Sequence, residues 1–294
     1  MLIFNMKDVS QADKEKNFPL VTDKSLEKVV NVSGVSIGGI DIVVMAGPCA
    51  VESYSQVMDI AKIVSDYGAK MLRGGAYKPL THPYHKNFFH DKHGELGLEG
   101  LKYLREAGGK YNLPVVSEVT DIRKVEEVAN YVDMLQIGAR NMQHFPLLVE
   151  VAKTKKPVLL KRHPGMSHRD LLGAAEYILY EGNKNVVLCE RGISAPHTHT
   201  PNSRFLPDIA SIYYLKQHTN LPVIYDPSHS TFDRGAAFAM AKASIAAGAD
   251  GLIIDVHPDP PNAMVDPLQA LDYESFDKLM KELKQLAKAV GRNL

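Results

Sequence analysis

Residues 113–137 read LPVVSEVTDIRKVEEVANYVDMLQI. The run Pro114–Glu118 is short and β-branched and ends on a carboxylate, Asp121–Tyr131 carries apolar residues at three-to-four spacing, and Met134–Ile137 is apolar again. Such a passage reads as a buried parallel strand, an amphipathic helix and a second buried strand. Two parallel strands need a crossover between them, and the helix supplies it.

The same unit recurs in both directions along the chain. Further strands are expected at Ile42–Met45, Lys70–Arg73, Pro157–Lys161, Val186–Glu190, Pro222–Asp226 and Gly251–Val256. The eight strand starts are separated by 28, 44, 20, 23, 29, 36 and 29 residues. Helical patterns fall between them, as at Gln56–Tyr67 and Gly235–Ala247, and Tyr273–Val290 reads as the last helix of the set. Strand followed by helix, eight times, predicts an α/β chain folded as a (β/α)8 TIM barrel, with binding chemistry on the loops that follow the strands' carboxyl ends. An open doubly wound sheet is the competing architecture, but Gly34-Val35-Ser36-Ile37-Gly38-Gly39 lacks the glycine spacing and the strand-to-helix context of a dinucleotide fingerprint. Residues 27–45 read instead as a β-hairpin that closes the bottom of the barrel and leads into its first strand. Residues 1–26 are polar and weakly patterned and are expected as a short N-terminal extension, leaving 27–294 as one catalytic domain.

Composition excludes several partners. The 34 basic and 34 acidic residues cancel, so there is no overall field for nucleic acid or an anionic membrane. No apolar run of about 20 residues occurs. With two cysteines among 294 residues there is no disulfide framework, and a reduced, cytoplasmic protein is expected.

The residues at the strand ends are Cys49, Arg73 with Lys78, Glu118, Gln136 with Arg140, Lys161, Glu190 with Arg191, Asp226 with His229, and Asp255 with His257. Arg73, Lys78, Arg140, Lys161 and Arg191 would therefore converge on one barrel mouth, as a small phosphorylated or carboxylated substrate requires. Ordinary salt bridges to Glu118, Glu190 or Asp226 are the alternative for any one of them. Cys49, His229, Asp255 and Asp266 form a second constellation. Thiolate, imidazole and two carboxylates suit a divalent transition metal such as Mn²⁺, Fe²⁺, Co²⁺ or Zn²⁺, against the plainer reading of Cys49 as an inert buried thiol. Cys189, inside a strand, reads as a small core residue.

Seven segments carry a resemblance. They are Ala46–Glu52, Arg73–Pro79, Leu135–Gln143, Lys156–Arg162, Cys189–Ile193, Asp226–His229 and Asp255–Pro260. In this order and at this spacing the chain, over about residues 28–290, resembles the class I 3-deoxy-D-arabino-heptulosonate 7-phosphate (DAHP) synthases and the related 3-deoxy-octulosonate 8-phosphate synthases. The resemblance implies condensation of phosphoenolpyruvate with an aldose phosphate, erythrose 4-phosphate in the first group, at the entry to aromatic amino acid biosynthesis. It implies that Arg73, Lys78, Arg140, Lys161 and Arg191 hold phosphoenolpyruvate, with Gln136 and Thr81 also on the substrate side. It further implies that Cys49, His229, Asp255 and Asp266 hold the metal, that Lys78, Glu118 and Asp226 handle protons, and that the assembly is a homotetramer.

The departures from that pattern lie mostly on the acceptor side. Leu80 replaces an arginine of a Lys-Pro-Arg-Thr motif. Ser194-Ala195 and Thr200-Pro201-Asn202 stand where two further arginines are usual, with extra residues around Arg204-Phe205-Leu206. Two residues are inserted within Lys161–Met166, Asp255 replaces the usual glutamate, and Pro267 stands where glycine is common. Hence a second expectation, an acceptor aldehyde with a differently placed phosphate or none, read partly by His82, His85, His163, His197 and His199. His90 and His93 are expected as exposed loop residues. A barrel that only binds a phosphometabolite is a third reading. An octulosonate-type synthase is disfavoured because Lys78-Pro79-Leu80-Thr81 does not match that branch's Lys-Ala-Asn-Arg.

Overall fold

A computed structural model describes residues 17–78, 96–198 and 204–294. Eight parallel strands close into a barrel: β3 (Val43–Gly47), β4 (Met71–Arg73), β5 (Val115–Glu118), β6 (Met134–Ile137), β7 (Val158–Lys161), β8 (Val186–Glu190), β9 (Val223–Tyr225) and β10 (Gly251–Asp255). The last strand closes the ring by pairing Gly251 with Val43 through to Asp255 with Gly47. Each strand lies within two residues of its expected position.

The period-two alternation of a strand divides these residues between two cores. One set, Ile42, Val44, Leu72, Val115, Leu135, Leu160, Leu188 and Ile254 among them, packs outward against the surrounding helices. The other set, Val43, Met45, Met71, Val116, Met134, Leu159, Val187, Cys189, Ile224 and Ile253, fills the lumen. The hairpin β1 (Val30–Val32) and β2 (Val35–Ile37) adds Val30, Val32 and Ile37 to this lumen cluster, so it plugs the end opposite the strands' carboxyl termini. Its tight turn places both Ser33 (φ 46°) and Gly34 (φ 94°) in the left-handed region, as a two-residue hairpin loop of primed type requires.

Helices Tyr54–Asp66, Leu98–Tyr111, Phe145–Lys153, His168–Tyr180, Ala210–His218, Arg234–Ala246 and Tyr273–Ala289 surround the barrel. The helix expected over Asp121–Tyr131 is shorter. Asp121 takes the Arg123 N–H, a 3-10 turn covers Ile122–Lys124, and only Val125–Ala129 is α-helical. This crossover is the shortest in the chain, with 20 residues between the expected strand starts. Residues Leu20 and Val21 are anchored on the barrel's outer shell, both backbone N–H groups donating to the Glu176 carboxylate at 2.9 and 2.8 Å.

Candidate active site

The lumen pattern positions the charged residues. On six strands a charged or amide side chain follows an apolar lumen residue by two positions: Met71 and Arg73, Val116 and Glu118, Met134 and Gln136, Leu159 and Lys161, Ile224 and Asp226, Ile253 and Asp255. All six of these polar side chains are buried at the carboxyl end of the barrel. Burying so many ionised groups demands pairing. Arg73 meets Asp255 at 2.7 Å and donates to the Pro48 carbonyl at 2.6 Å. Lys161 meets Asp226 at 2.5 Å. Gln136 donates to Glu118 at 3.2 Å.

The four sequence-predicted metal ligands come together, one donor atom from each of Cys49, His229, Asp255 and Asp266 lying within 4.8 Å of the others. Cys49 Sγ is 3.6 Å from His229 Nε2 and 3.1 Å from Asp266 Oδ2. His229 Nε2 is 3.6 Å from Asp255 Oδ2 and 3.5 Å from Asp266 Oδ2. The other ring nitrogen, Nδ1, faces Asp226 at 2.9 Å, the carboxylate–imidazole arrangement that orients a metal-ligating histidine. The short turn Pro227–Ser230 fixes this geometry, since Asp226 caps it by accepting the His229 N–H. A divalent metal fits this donor set. Asp255 Oδ2 is buried and has no hydrogen-bond partner in the protein, which a cation would supply. Burial works against a proton on His229, but Asp226, Asp255 and Asp266 outweigh it and raise its pKa to about 10. The same excess of negative charge favours a cation at Nε2.

Four of the five basic residues, Arg73, Lys78, Lys161 and Arg191, contact this cluster or the Asp226 beside it. Lys78 Nζ lies 3.1 Å from Cys49 Sγ, and although burial opposes its charge, the fields of Cys49, Asp266 and Glu118 hold its pKa above the ordinary lysine value. Arg191 donates to the His229 carbonyl at 2.8 Å and stacks on the Phe205 ring at 4.7 Å. Burial and the neighbouring Arg204 pull its pKa down to about 10. The Nε groups of both Arg73 and Arg191 are buried with no protein acceptor. Arg140 is exposed. His163 feels burial first and then Arg191 and Arg140, all three of which depress its pKa, and its Nδ1 accepts the Gly165 N–H at 3.1 Å. His197 is exposed. Thr81 lies outside the described residues, as do Leu80, His82, His85, His90, His93 and His199.

Arg204 is the residue that the sequence reading missed. It donates to Asp266 Oδ1 at 3.2 Å and lies against the Phe205 and Phe232 rings at 5.7 and 5.2 Å. It comes from the stretch read as extra residues after Gly192. The available signal was an arginine beside an aromatic residue, a pairing that holds a guanidinium in place.

Cys189 is fully buried in the lumen, and burial drives its thiol pKa far upward, which accords with the core reading. A second group of potential ligand atoms, on His168, Glu190 and Asp208, already holds a cation. Arg162 meets Glu190 at 2.7 Å and Asp208 at 3.1 Å. The other Glu190 oxygen accepts the N–H groups of Arg191 and Gly192, each at 2.8 Å, and so shapes the turn that presents Arg191. In that network burial and then Arg162 depress the His168 pKa to about 4. An imidazole kept neutral in the fold binds fewer protons than in the unfolded chain between about pH 6.5 and 4, so its contribution is lost as pH falls through that window. Thermal melts from pH 7 to pH 5 should therefore show a smaller drop for His168→Gln than for the parent chain; equal drops would contradict the assignment.

Known proteins resemble the chain over most of its length. Residues 10–291 match the family described as the DAHP synthetase I family. A phospho-2-dehydro-3-deoxyheptonate aldolase from Thermotoga maritima is 42% identical over 265 residues, covering 90% of this chain and 75% of the relative. A 2-dehydro-3-deoxyphosphooctonate aldolase from Koribacter versatilis is 29% identical, covering 88% of this chain and 96% of its own. Among solved structures, a truncated form of the Thermotoga maritima 3-deoxy-D-arabino-heptulosonate 7-phosphate synthase superposes with a TM-score of 0.84 at 39% identity, over 94% of this chain and 99% of that one. Among the described residues, no helix is long and apolar enough to cross a membrane.

Proposed function

The chain belongs to the DAHP synthetase I family, and from that premise we propose that it condenses phosphoenolpyruvate with erythrose 4-phosphate to give DAHP and inorganic phosphate, with a divalent metal held by Cys49, His229, Asp255 and Asp266. The observation that carries this reading is the shared wall between an anion site and a cation site. Arg73 lies 2.7 Å from Asp255, while its buried Nε and that of Arg191 await an acceptor. Arg73, Lys161, Arg191 and Arg140 would clamp the phosphate and carboxylate of phosphoenolpyruvate, holding its C3 toward the aldehyde, and such positioning is worth several kcal/mol of barrier. When bound, the metal would supply Lewis acidity to the acceptor's carbonyl.

The bond changes then balance with water as the one further reactant. C3 attacks the aldehyde carbon, water adds at the cationic C2, and the C2–O bond to phosphate breaks. The aldehyde oxygen gains a proton, the water gives one up as it adds at C2, and the proton left on the C2 hydroxyl departs with the inorganic phosphate as the C2 ketone forms. Lys78, charged and beside Cys49, is placed to donate at the oxygen. Of the two carboxylates, Glu118 is the better base. Asp226 already accepts from Lys161 and from both the ring and the backbone N–H of His229, and these cations hold it well below the usual carboxylate range. Asp226 then serves to orient His229 and Lys161. A single catalytic domain over 27–294, a homotetramer and a cytoplasmic location belong to the same proposal.

His163, whose pKa is lowered by burial, Arg191 and Arg140, lies inside an inserted stretch and favours the altered acceptor as the second reading. Phosphate release should be measured from metal-loaded protein with phosphoenolpyruvate and a panel of phosphorylated and plain aldoses. Erythrose 4-phosphate is expected to give the highest kcat/KM. Release with another aldehyde alone would replace the acceptor, and release with none would overturn the reaction.

A further inference from the structure

Three of the four candidate ligands are fixed by the barrel itself. Cys49 follows β3 by two residues, Asp255 ends β10, and His229 lies in the capped turn after β9. Asp266 is different, because it sits far along the loop between β10 and the last helix, with its backbone in the left-handed region at φ 55°. At its base that loop is closed by a bridge between Val256 and Leu271 and by the His257 N–H donating to the Leu271 carbonyl at 2.9 Å. Further out, Arg204 meets the Asp266 carboxylate at 3.2 Å, and the backbone ahead of Asp266 has a separate support.

Glu52 supplies it from the loop after the neighbouring strand β3. Its Oε1 accepts the Met264 N–H at 3.0 Å, two residues before Asp266, and its Oε2 lies 3.3 Å from His257 Nε2. His257 Nδ1 accepts the Asp259 N–H at 3.1 Å, which assigns the remaining ring proton to Nε2, facing the carboxylate. Glu52 is itself held, its own N–H donating to Gln56 Oε1 at 2.9 Å at the start of the first helix of the ring. Both residues lie in segments that carried the family resemblance, yet neither received a role there. The carboxylate that fixes the Asp266 loop thus stands three residues from the Cys49 thiol.

We propose that Glu52 and His257 form a latch that positions Asp266 over Cys49, His229 and Asp255, and thereby sets the affinity of the site for its metal. The latch rests on the metal-site reading above. Both residues are positioning residues and touch neither metal nor substrate. Glu52→Gln keeps the volume and one acceptor for Met264 but turns an N–H toward the His257 proton, so half of the latch becomes repulsive.

The test is a Co²⁺ titration of reduced, chelator-stripped protein, followed by the thiolate-to-metal absorption of Cys49, with calorimetric titration of phosphoenolpyruvate alongside. Glu52→Gln should weaken Co²⁺ by about 10- to 100-fold, the usual cost of losing a group that orients a ligand. Binding of phosphoenolpyruvate should change less than about threefold. In an Asp266→Ala background the same substitution should cost nothing further, because the latch acts through that carboxylate. Should Glu52→Gln fail to fold, His257→Gln is titrated in its place with the same expectations. Co²⁺ affinity unchanged by the substitution, or a loss that persists undiminished in the Asp266→Ala background, overturns the latch and leaves the metal site standing. A parent chain that shows no thiolate absorption with Co²⁺ overturns both.

Discussion

Replacing Cys49 by alanine is expected to lower the rate of aldehyde-dependent phosphoenolpyruvate consumption by about a thousandfold, and to abolish the thiolate absorption seen with Co²⁺. The size follows from what the sulfur does. It is 3.6 Å from His229 Nε2 and 3.1 Å from Asp266 Oδ2, so its loss opens one side of a four-donor set. Lewis-acid assistance to a carbonyl is worth several kcal/mol, and each 1.36 kcal/mol is a factor of ten, so losing most of it costs roughly three decades. Lys78 also loses its sulfur neighbour at 3.1 Å, which loosens the proposed proton donor at the same stroke. Cys189 cannot substitute, because its thiol is sealed in the lumen. The fold should survive, since the removed sulfur lies at the rim rather than in the packed layers. Treatment with a chelator should reproduce the loss in the parent chain, and Mn²⁺, Fe²⁺, Co²⁺ or Zn²⁺ should restore it there but not in Cys49→Ala. A variant that keeps activity within tenfold of the parent would remove Cys49 from the ligand set.

The barrel was legible because its strands are buried on both faces and end abruptly on charge. Eight apolar runs with helical patterns between them admit few other architectures, and the strand ends named most of the polar layer in advance. What the strand ends could not reveal was parity. Lys161 and Arg162 are adjacent cations, yet the first enters the lumen toward Asp226 while the second joins Glu190 and Asp208 behind the wall. Only the register with Leu159 in the lumen separates them. The roles of the two acids, Glu118 and Asp226, were likewise undecided, because Lys161, which occupies Asp226 together with the nearby His229, reaches it from β7, a strand 65 residues earlier. Arg204 and Glu52 escaped for a related reason. Arg204 meets Asp266 over 62 residues and Glu52 meets Met264 over 212, and such long-range loop contacts leave no periodic trace.

The lower half of the same site should reveal itself through stability. Lys161→Met is expected to destabilise the chain by about 3–5 kcal/mol, the usual cost of stranding one partner of a buried ion pair. Lys161 and Asp226 are 5% and 0% exposed, so water cannot take over from the lost ammonium. Asp226 would keep its contacts with His229 but face a lumen of Val187, Cys189 and Ile224 with one cation fewer. In the parent chain the cations around Asp226 hold its pKa well below the usual carboxylate value, so its contribution to stability is present in full above about pH 4 and is lost as pH falls through the depressed value. The double variant Lys161→Met/Asp226→Asn removes both charges and should recover much of the stability in urea or thermal melts, since the charge left uncompensated by the single change is gone. Its phosphoenolpyruvate binding should stay as weak as in Lys161→Met, because the proposed clamp needs the ammonium and His229 has lost its orienting carboxylate. If stability and binding returned together, Lys161 would be a structural partner of Asp226 and nothing more. If neither single nor double variant lost stability, the barrel would tolerate an unpaired carboxylate at its centre, contrary to the burial and geometry found there.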